Sequence, residues 1–184
     1  MSVRRNMNNI IKIEYYKSPY GEIIIGEYNS KLCLCDWRYR KMRNSIDKRI
    51  KAKLNAEYEI GESTIAQLCI SQLKEYFSCE RKEFDIPLEF AGTKFQAAVW
   101  DLLTTIPYGT TATYMDLSKS LGNADAVRAV ASANGANAIS IIVPCHRIIG
   151  SDGKMVGYAG GTAVKKKLLE LEGAIKKTQL SLFE

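Results

Sequence analysis

Apolar and polar positions alternate with a period of two over residues 10–37, which predicts a three-stranded antiparallel meander. Ile11, Ile13 and Tyr15 lead into the turn Ser18-Pro19-Tyr20-Gly21. Residues Glu22 to Tyr28 form the second strand, and Asn29-Ser30 make the second turn. The third strand places Leu32 and Leu34 on one face and Cys33, Cys35 and Trp37 on the other. The pattern then shifts to helical spacing. Ile65, Leu68, Cys69, Leu73, Tyr76 and Phe77 predict a helix over about 62–78 that packs on the sheet. Residues 80–90, with Pro87 among them, read as a connector to a second unit.

The second half is more helical. Thr93 followed by Gln96 is a capping box, and Phe95, Val99, Leu102, Leu103 and Ile106 give the helix after it one buried stripe. Pro107-Tyr108-Gly109 ends it. A short helix is expected from Thr113 to Gly122 and another from Asn123 to about Asn134, in the form of a helix-turn-helix. On the second of these, Arg128 stands among Ala124, Ala129 and Ser132. It reads equally as a solvated arginine or as a cation able to reach into a groove. Ile139 to Val143 is an apolar, β-branched run, read as a buried extended segment that delivers Pro144-Cys145-His146-Arg147.

With 184 residues, 46% of them hydrophobic, the chain can bury a core without staples. No apolar run reaches membrane-spanning length, and the basic start of the chain has no signal-peptide stretch after it, so a cytoplasmic protein is expected. Five cysteines, at 33, 35, 69, 79 and 145, fit free thiols better than a disulfide framework. With one histidine and no Cys-x-x-Cys pair, no metal site is expected. The net charge of +6 is compatible with DNA and decides nothing alone. Residues 38–53 concentrate basic residues with one acid, Asp47; a solvated face is the plainer reading, a DNA contact the alternative.

Cys145 lies between apolar segments and beside the one histidine, so it is either a buried inert thiol or a nucleophile. Adjacent side chains diverge, so a water is the natural bridge between Cys145 and His146. A protease needs a second base that the sequence lacks.

Pro144-Cys145-His146-Arg147 resembles the active-site signature of the O6-alkylguanine-DNA alkyltransferases, also called methylated-DNA–protein-cysteine methyltransferases. The stretch Gly92 to Gly122, the segment "AVRAVASANGANAISIIVPCHRIIG" and the run "GYAGGTAVKKKLLELEG" are similar to that family in the same order, over about residues 67–173. The resemblance implies two parts. Residues 1–88 are an N-terminal α/β domain of ribonuclease H-like form with its linker. Residues 89–184 are a helical, winged-helix-like catalytic domain that binds DNA.

By resemblance, Cys145 attacks the alkyl carbon on O6 of a guanine rotated out of the duplex, and His146 takes the thiol proton through a water. Glu172 holds His146, and Tyr114 donates a proton to the departing base. Arg128 fills the gap in the stack. Asn137 braces the active-site turn, and Tyr158 and Ala159 wall the pocket next to Ile148. Lys165 orders the closing loop. O4-alkylthymine is implied as a second substrate, double-stranded DNA as the partner, no cofactor, and a monomer. Departures from the pattern are Ala138, Ala159, Asn134, Cys79 and Thr162. A damage-binding module without chemistry and a regulator that reads methylation of Cys145 are the other function classes.

Overall fold

The structure is a computed structural model that describes residues 9–176. Its N-terminal half is a four-stranded sheet in the order β3-β2-β1-β4, with β1 Asn9–Ser18, β2 Gly21–Tyr28, β3 Lys31–Trp37 and β4 Ala56–Ile60. The expected antiparallel meander is present as β1 to β3. The fourth strand was not anticipated. It lies parallel to β1 after a crossover through α1, Arg43–Leu54. Asn55, in the left-handed region at φ 48°, turns the chain from α1 into β4.

The two faces of the sheet have different roles. Ile11, Ile13, Ile24 and Leu34 meet Ile46 and Ile50 of α1. Ile23, Ile25, Leu32 and Cys35 belong to a larger core with α2, Thr64–Phe77, and most of the C-terminal half. Along β3 the expected alternation fails. The pairing steps from Gly26–Leu34 to Glu27–Leu32, which leaves Cys33 as a bulge. Cys33 therefore joins the α1 side and Cys35 the α2 side, instead of sharing a face.

Helix α2 buries Ala66, Cys69, Gln72, Leu73 and Tyr76, while Leu68 is turned out to solvent. At Cys79, one of the departures from the family pattern, the backbone is left-handed, φ 65°, a conformation that favours glycine. The connector after it is tied to the sheet: Leu32 donates its N–H to Pro87 O, and Glu89 donates to Leu32 O.

Thr93 caps α3, Lys94–Thr104, with the predicted capping box closed by Gln96. In α3 the buried residues are Val99, Trp100 and Leu103, and Phe95 is exposed. Thr113 caps α4, Tyr114–Ser120, with Asp116 as its box partner. Asn123 caps a single 3-10 turn that runs into α5, Val127–Gly135. The two helices are in contact, as a helix-turn-helix requires. Two short parallel strands, β5 Ala112–Thr113 and β6 Ile148–Ile149, and α6, Thr162–Leu171, complete the half. Among the described residues no helix is long and apolar enough to cross a membrane.

Candidate active site

The segment that carries Cys145 is not extended. Val143 N–H bonds Ile139 O and Ile142 N–H bonds Ser140 O, with Ile141 left-handed at φ 73°, so residues 139–143 fold into a tight turn. The β-branched run suggested a strand, but two side chains outside the run override that preference. Asn137 accepts from Ile139 N–H at 2.9 Å and donates to Val143 O at 2.9 Å, closing the turn from within. Asp36, on β3, accepts from Ser140 Oγ at 3.0 Å. The backbone on either side of Ala138 is bonded to β3 as well, through Cys35 N–H to Ala138 O and Ser140 N–H to Cys35 O.

A 3-10 turn, Cys145–Arg147, then presents the thiol. Its sulfur lies on the wall of a cavity of about 740 Å³ that Tyr114, Asn134, Asn137, Tyr158 and Ala159 also line. Burial pushes the Cys145 thiol up to about 11, although Asn137 Nδ2, donating to Sγ at 3.1 Å, pulls it down. The resting sulfur is therefore protonated at neutral pH, and attack requires a base.

His146 is that base by position. It is fully buried, and Nε2 lies 2.8 Å from Glu172 Oε1. Burial lowers its pKa below the ordinary 6.5, against the pull of Glu172, so the ring is neutral at pH 7. Its Nδ1 is buried, with no hydrogen-bond partner among the described residues. Glu172 accepts from Arg147 as well, at 2.9 Å to Oε2 and 3.0 Å to Oε1, and from Tyr76 Oη at 2.7 Å. Gly109 N–H adds a longer bond at 3.3 Å. Burial alone raises a carboxyl pKa, but the bonds from His146 and Arg147 outweigh it and hold Glu172 at about 2. An ionised carboxylate only accepts, so Nε2 carries the hydrogen and the Nδ1 lone pair is free to take a proton.

Tyr114 opens α4 on the cavity wall, facing Asn134 of α5, whose buried Oδ1 has no hydrogen-bond partner among the described residues. Burial raises the Tyr114 pKa, and so does the nearby Cys145 sulfur, so the phenol keeps its proton until a base takes it. The Tyr158 hydroxyl accepts from Trp37 Nε1 at 3.0 Å. At Gly160 a Cβ would meet the Trp37 indole at 2.8 Å, so the closing loop needs glycine there. Lys165, buried, donates to Ile148 O and to Val156 O, the latter at 2.8 Å, and so ties β6 to that loop. Burial lowers its pKa to about 8. Ile148, expected at the pocket, is buried in the core and does not line the cavity, and Arg128 is exposed on α5, apart from both cavity and relay.

Cys145, Tyr114, Asn137, Tyr158 and Ala159 thus share one cavity, and His146, next to Cys145 in the chain, is bonded to Glu172 outside the cavity lining. Three residues with large roles were not singled out from sequence. Arg147 lies within the motif around Cys145, Tyr76 on an apolar helical stripe and Asp36 on a strand, and no local sequence signal marks the role of any of them. The basic stretch 38–53 is not simply a solvated face. Arg40 Nη1 bonds Asp36 and Asn137 O, Arg40 Nη2 bonds Gly135 O, and Arg49 bonds Ala91 O and Ala136 O. These arginines join the two halves.

The relay makes stability fall with acid. The folded pKa of His146 lies below 6.5 and that of Glu172, about 2, below 4.5, so in both windows the unfolded chain binds more protons. Stability is expected to decline as pH drops below 6.5 and again between 4.5 and 2, in denaturant titrations at stepped pH. A flat profile down to pH 4 contradicts this.

Two family profiles match the chain. The profile of 6-O-methylguanine DNA methyltransferase, ribonuclease-like domain, matches residues 11–90, and that of 6-O-methylguanine DNA methyltransferase, DNA binding domain, matches residues 94–174. A Methanosarcina barkeri protein named methylated-DNA–protein-cysteine methyltransferase is 52% identical over 156 residues, 85% of this chain and 93% of the relative. A Mycobacterium tuberculosis protein of the same name is 50% identical over 115 residues, 62% of this chain and 70% of the relative. The crystal structure of Mycobacterium tuberculosis OGT in complex with DNA is similar at TM-score 0.74 and 36% identity, over 90% of this chain and 93% of that one.

Proposed function

Because the chain belongs to the 6-O-methylguanine DNA methyltransferase family, we propose that it removes alkyl groups from O6 of guanine in double-stranded DNA by moving them onto Cys145. The protein binds DNA and repairs it by alkyl transfer to cysteine. The observation that carries the assignment to Cys145 is the thiol on a cavity wall, followed in the chain by a neutral His146 whose buried Nδ1 has no hydrogen-bond partner among the described residues.

The thiol proton passes through a water to His146 Nδ1, and Glu172 stabilises the imidazolium that forms. The sulfur attacks the alkyl carbon as the carbon–O6 bond breaks, and the electron pair of that bond goes to guanine. Tyr114 protonates the departing base and recovers its proton from His146, so the thiol hydrogen ends on guanine. Holding the alkyl carbon in line with sulfur supplies most of the rate, because raising the thiolate fraction alone is a small effect. The product is a thioether that water does not cleave, so each molecule acts once.

The exposed Arg128 at the start of α5 takes the place of the rotated base, which costs a few kcal/mol to unstack. Residues 89–184 carry the chemistry, residues 1–88 support it, and the protein acts as a monomer wherever DNA is. O4-alkylthymine fits the same reaction and is the second substrate.

With methylated duplex in excess, repaired guanine should rise to one per protein molecule and stop. Arg128→Ala should reach the same plateau about 10- to 100-fold more slowly on duplex. It should react with free O6-methylguanine at nearly the unchanged rate. Continued turnover refutes single use, and equal losses on both substrates refute the wedge.

A further inference from the structure

We propose that Tyr76, a residue of α2 in the N-terminal half, is a positioning residue of the transfer reaction. Its hydroxyl donates to Glu172 Oε1, the same oxygen that faces His146 Nε2, and so sets how strongly that carboxylate holds a proton on His146. The inference rests on His146 as proton acceptor and extends the relay across the boundary between the two halves.

The geometry leaves Tyr76 one role. It is fully buried, packed edge-on to Tyr108 and against Phe77 and Phe84. Its Oη lies 2.7 Å from Glu172. Burial and the neighbouring carboxylate both push its pKa up, so it stays protonated and acts as a donor toward an oxygen that can only accept. On Oε1 it shares the carboxylate charge with His146 Nε2–H and Arg147 Nη2.

Each extra donor on a carboxylate draws charge from the others and lowers its pull on a neighbouring imidazolium. A base that must take a proton and pass it on needs that pull held in check, and Tyr76 supplies part of the restraint. The other groups facing His146 are Arg147 and Lys165, which lower its pKa, and the Tyr158 ring, 6.2 Å away and edge-on. Cys145 precedes it in the chain. None of these carries a second hydroxyl to Glu172, so removing the Tyr76 hydroxyl changes one identifiable bond.

A chain with one histidine makes the test direct, because its imidazole nitrogen signals need no assignment. Nitrogen-15 histidine spectra across pH, with the transfer rate measured over the same range, are compared for the unchanged protein and Tyr76→Phe. The variant should move the His146 titration, and the acid limb of the rate, upward by roughly 0.5 pH. Coincident acid limbs overturn the inference, however far the plateau rate falls. If the unchanged protein instead carries its hydrogen on Nδ1, the proton-acceptor reading of His146 fails, and the two failures are thereby told apart. Should Tyr76→Phe not fold, the unchanged protein decides: a slowly exchanging hydroxyl proton with a cross-peak to the His146 ring supports the bond, and its absence overturns it.

Discussion

Glu172→Ala is expected to lower stability by about 3–5 kcal/mol, the cost of stranding buried charges whose partner is removed. In this chain the stranded groups are the Arg147 guanidinium, His146 and the Tyr76 hydroxyl, all of which bond the one carboxylate. For a protein of this size that corresponds to a melting temperature lower by roughly 6–20 °C. Transfer suffers separately. Without Glu172 neither the tautomer nor the orientation of His146 is held, and the rate at neutral pH should drop about 100- to 10,000-fold. Thermal unfolding and single-turnover kinetics on one preparation check both. A melting point within 2–3 °C of the unchanged protein contradicts the energetic reading.

Asp36→Ala should cost a similar amount, about 3–5 kcal/mol, for a related reason. Asp36 is fully buried and accepts from Trp37 N–H, Arg40, Arg43 and Ser140 Oγ. Removing it leaves Arg40 to the carbonyls of Gly135 and Asn137 alone, and frees Ser140 in the turn that presents Cys145. The expected signature is coupling. In a double-mutant cycle, Arg40→Ala made on top of Asp36→Ala should cost less than Arg40→Ala alone, by about 1 kcal/mol or more. Additive losses refute a shared network. Because Ser140 shares that network, transfer should slow as well, although Asp36 lies outside the catalytic residues.

What the sequence made legible was local. Thr93 with Gln96 and Asn123 declare their helix starts through side-chain bonds that span two or three residues. The alternation of β1 and β2 declares the sheet. The candidate residues of the cavity came from an ordered resemblance over a long stretch, and the fold brings most of them together around the thiol.

Illegible features depend on partners far along the chain. The Cys33 bulge follows from pairing with β2, and β4 from a crossover whose strand, Ala56–Ile60, is short and carries two glutamates. Residues 139–143 have strand-like side chains but are folded by Asn137 and by Asp36, which lies 104 residues from Ser140. Arg40 and Arg49 belong to a run whose charge suggests solvent, and only their bonds to distant carbonyls show that they join the halves. Tyr76 sits on an apolar stripe, where a hydroxyl reads as packing until its acceptor is known.

The central claim is transfer to one sulfur, and intact-protein mass reads it most directly. The chain is mixed with duplex DNA bearing a single O6-methylguanine, beside Cys145→Ala, and the products are weighed and mapped. The account predicts a gain of one methyl group on the unchanged protein, on the peptide that contains Cys145, and no gain on the variant. An unchanged mass, or a methyl group on another residue, would contradict it.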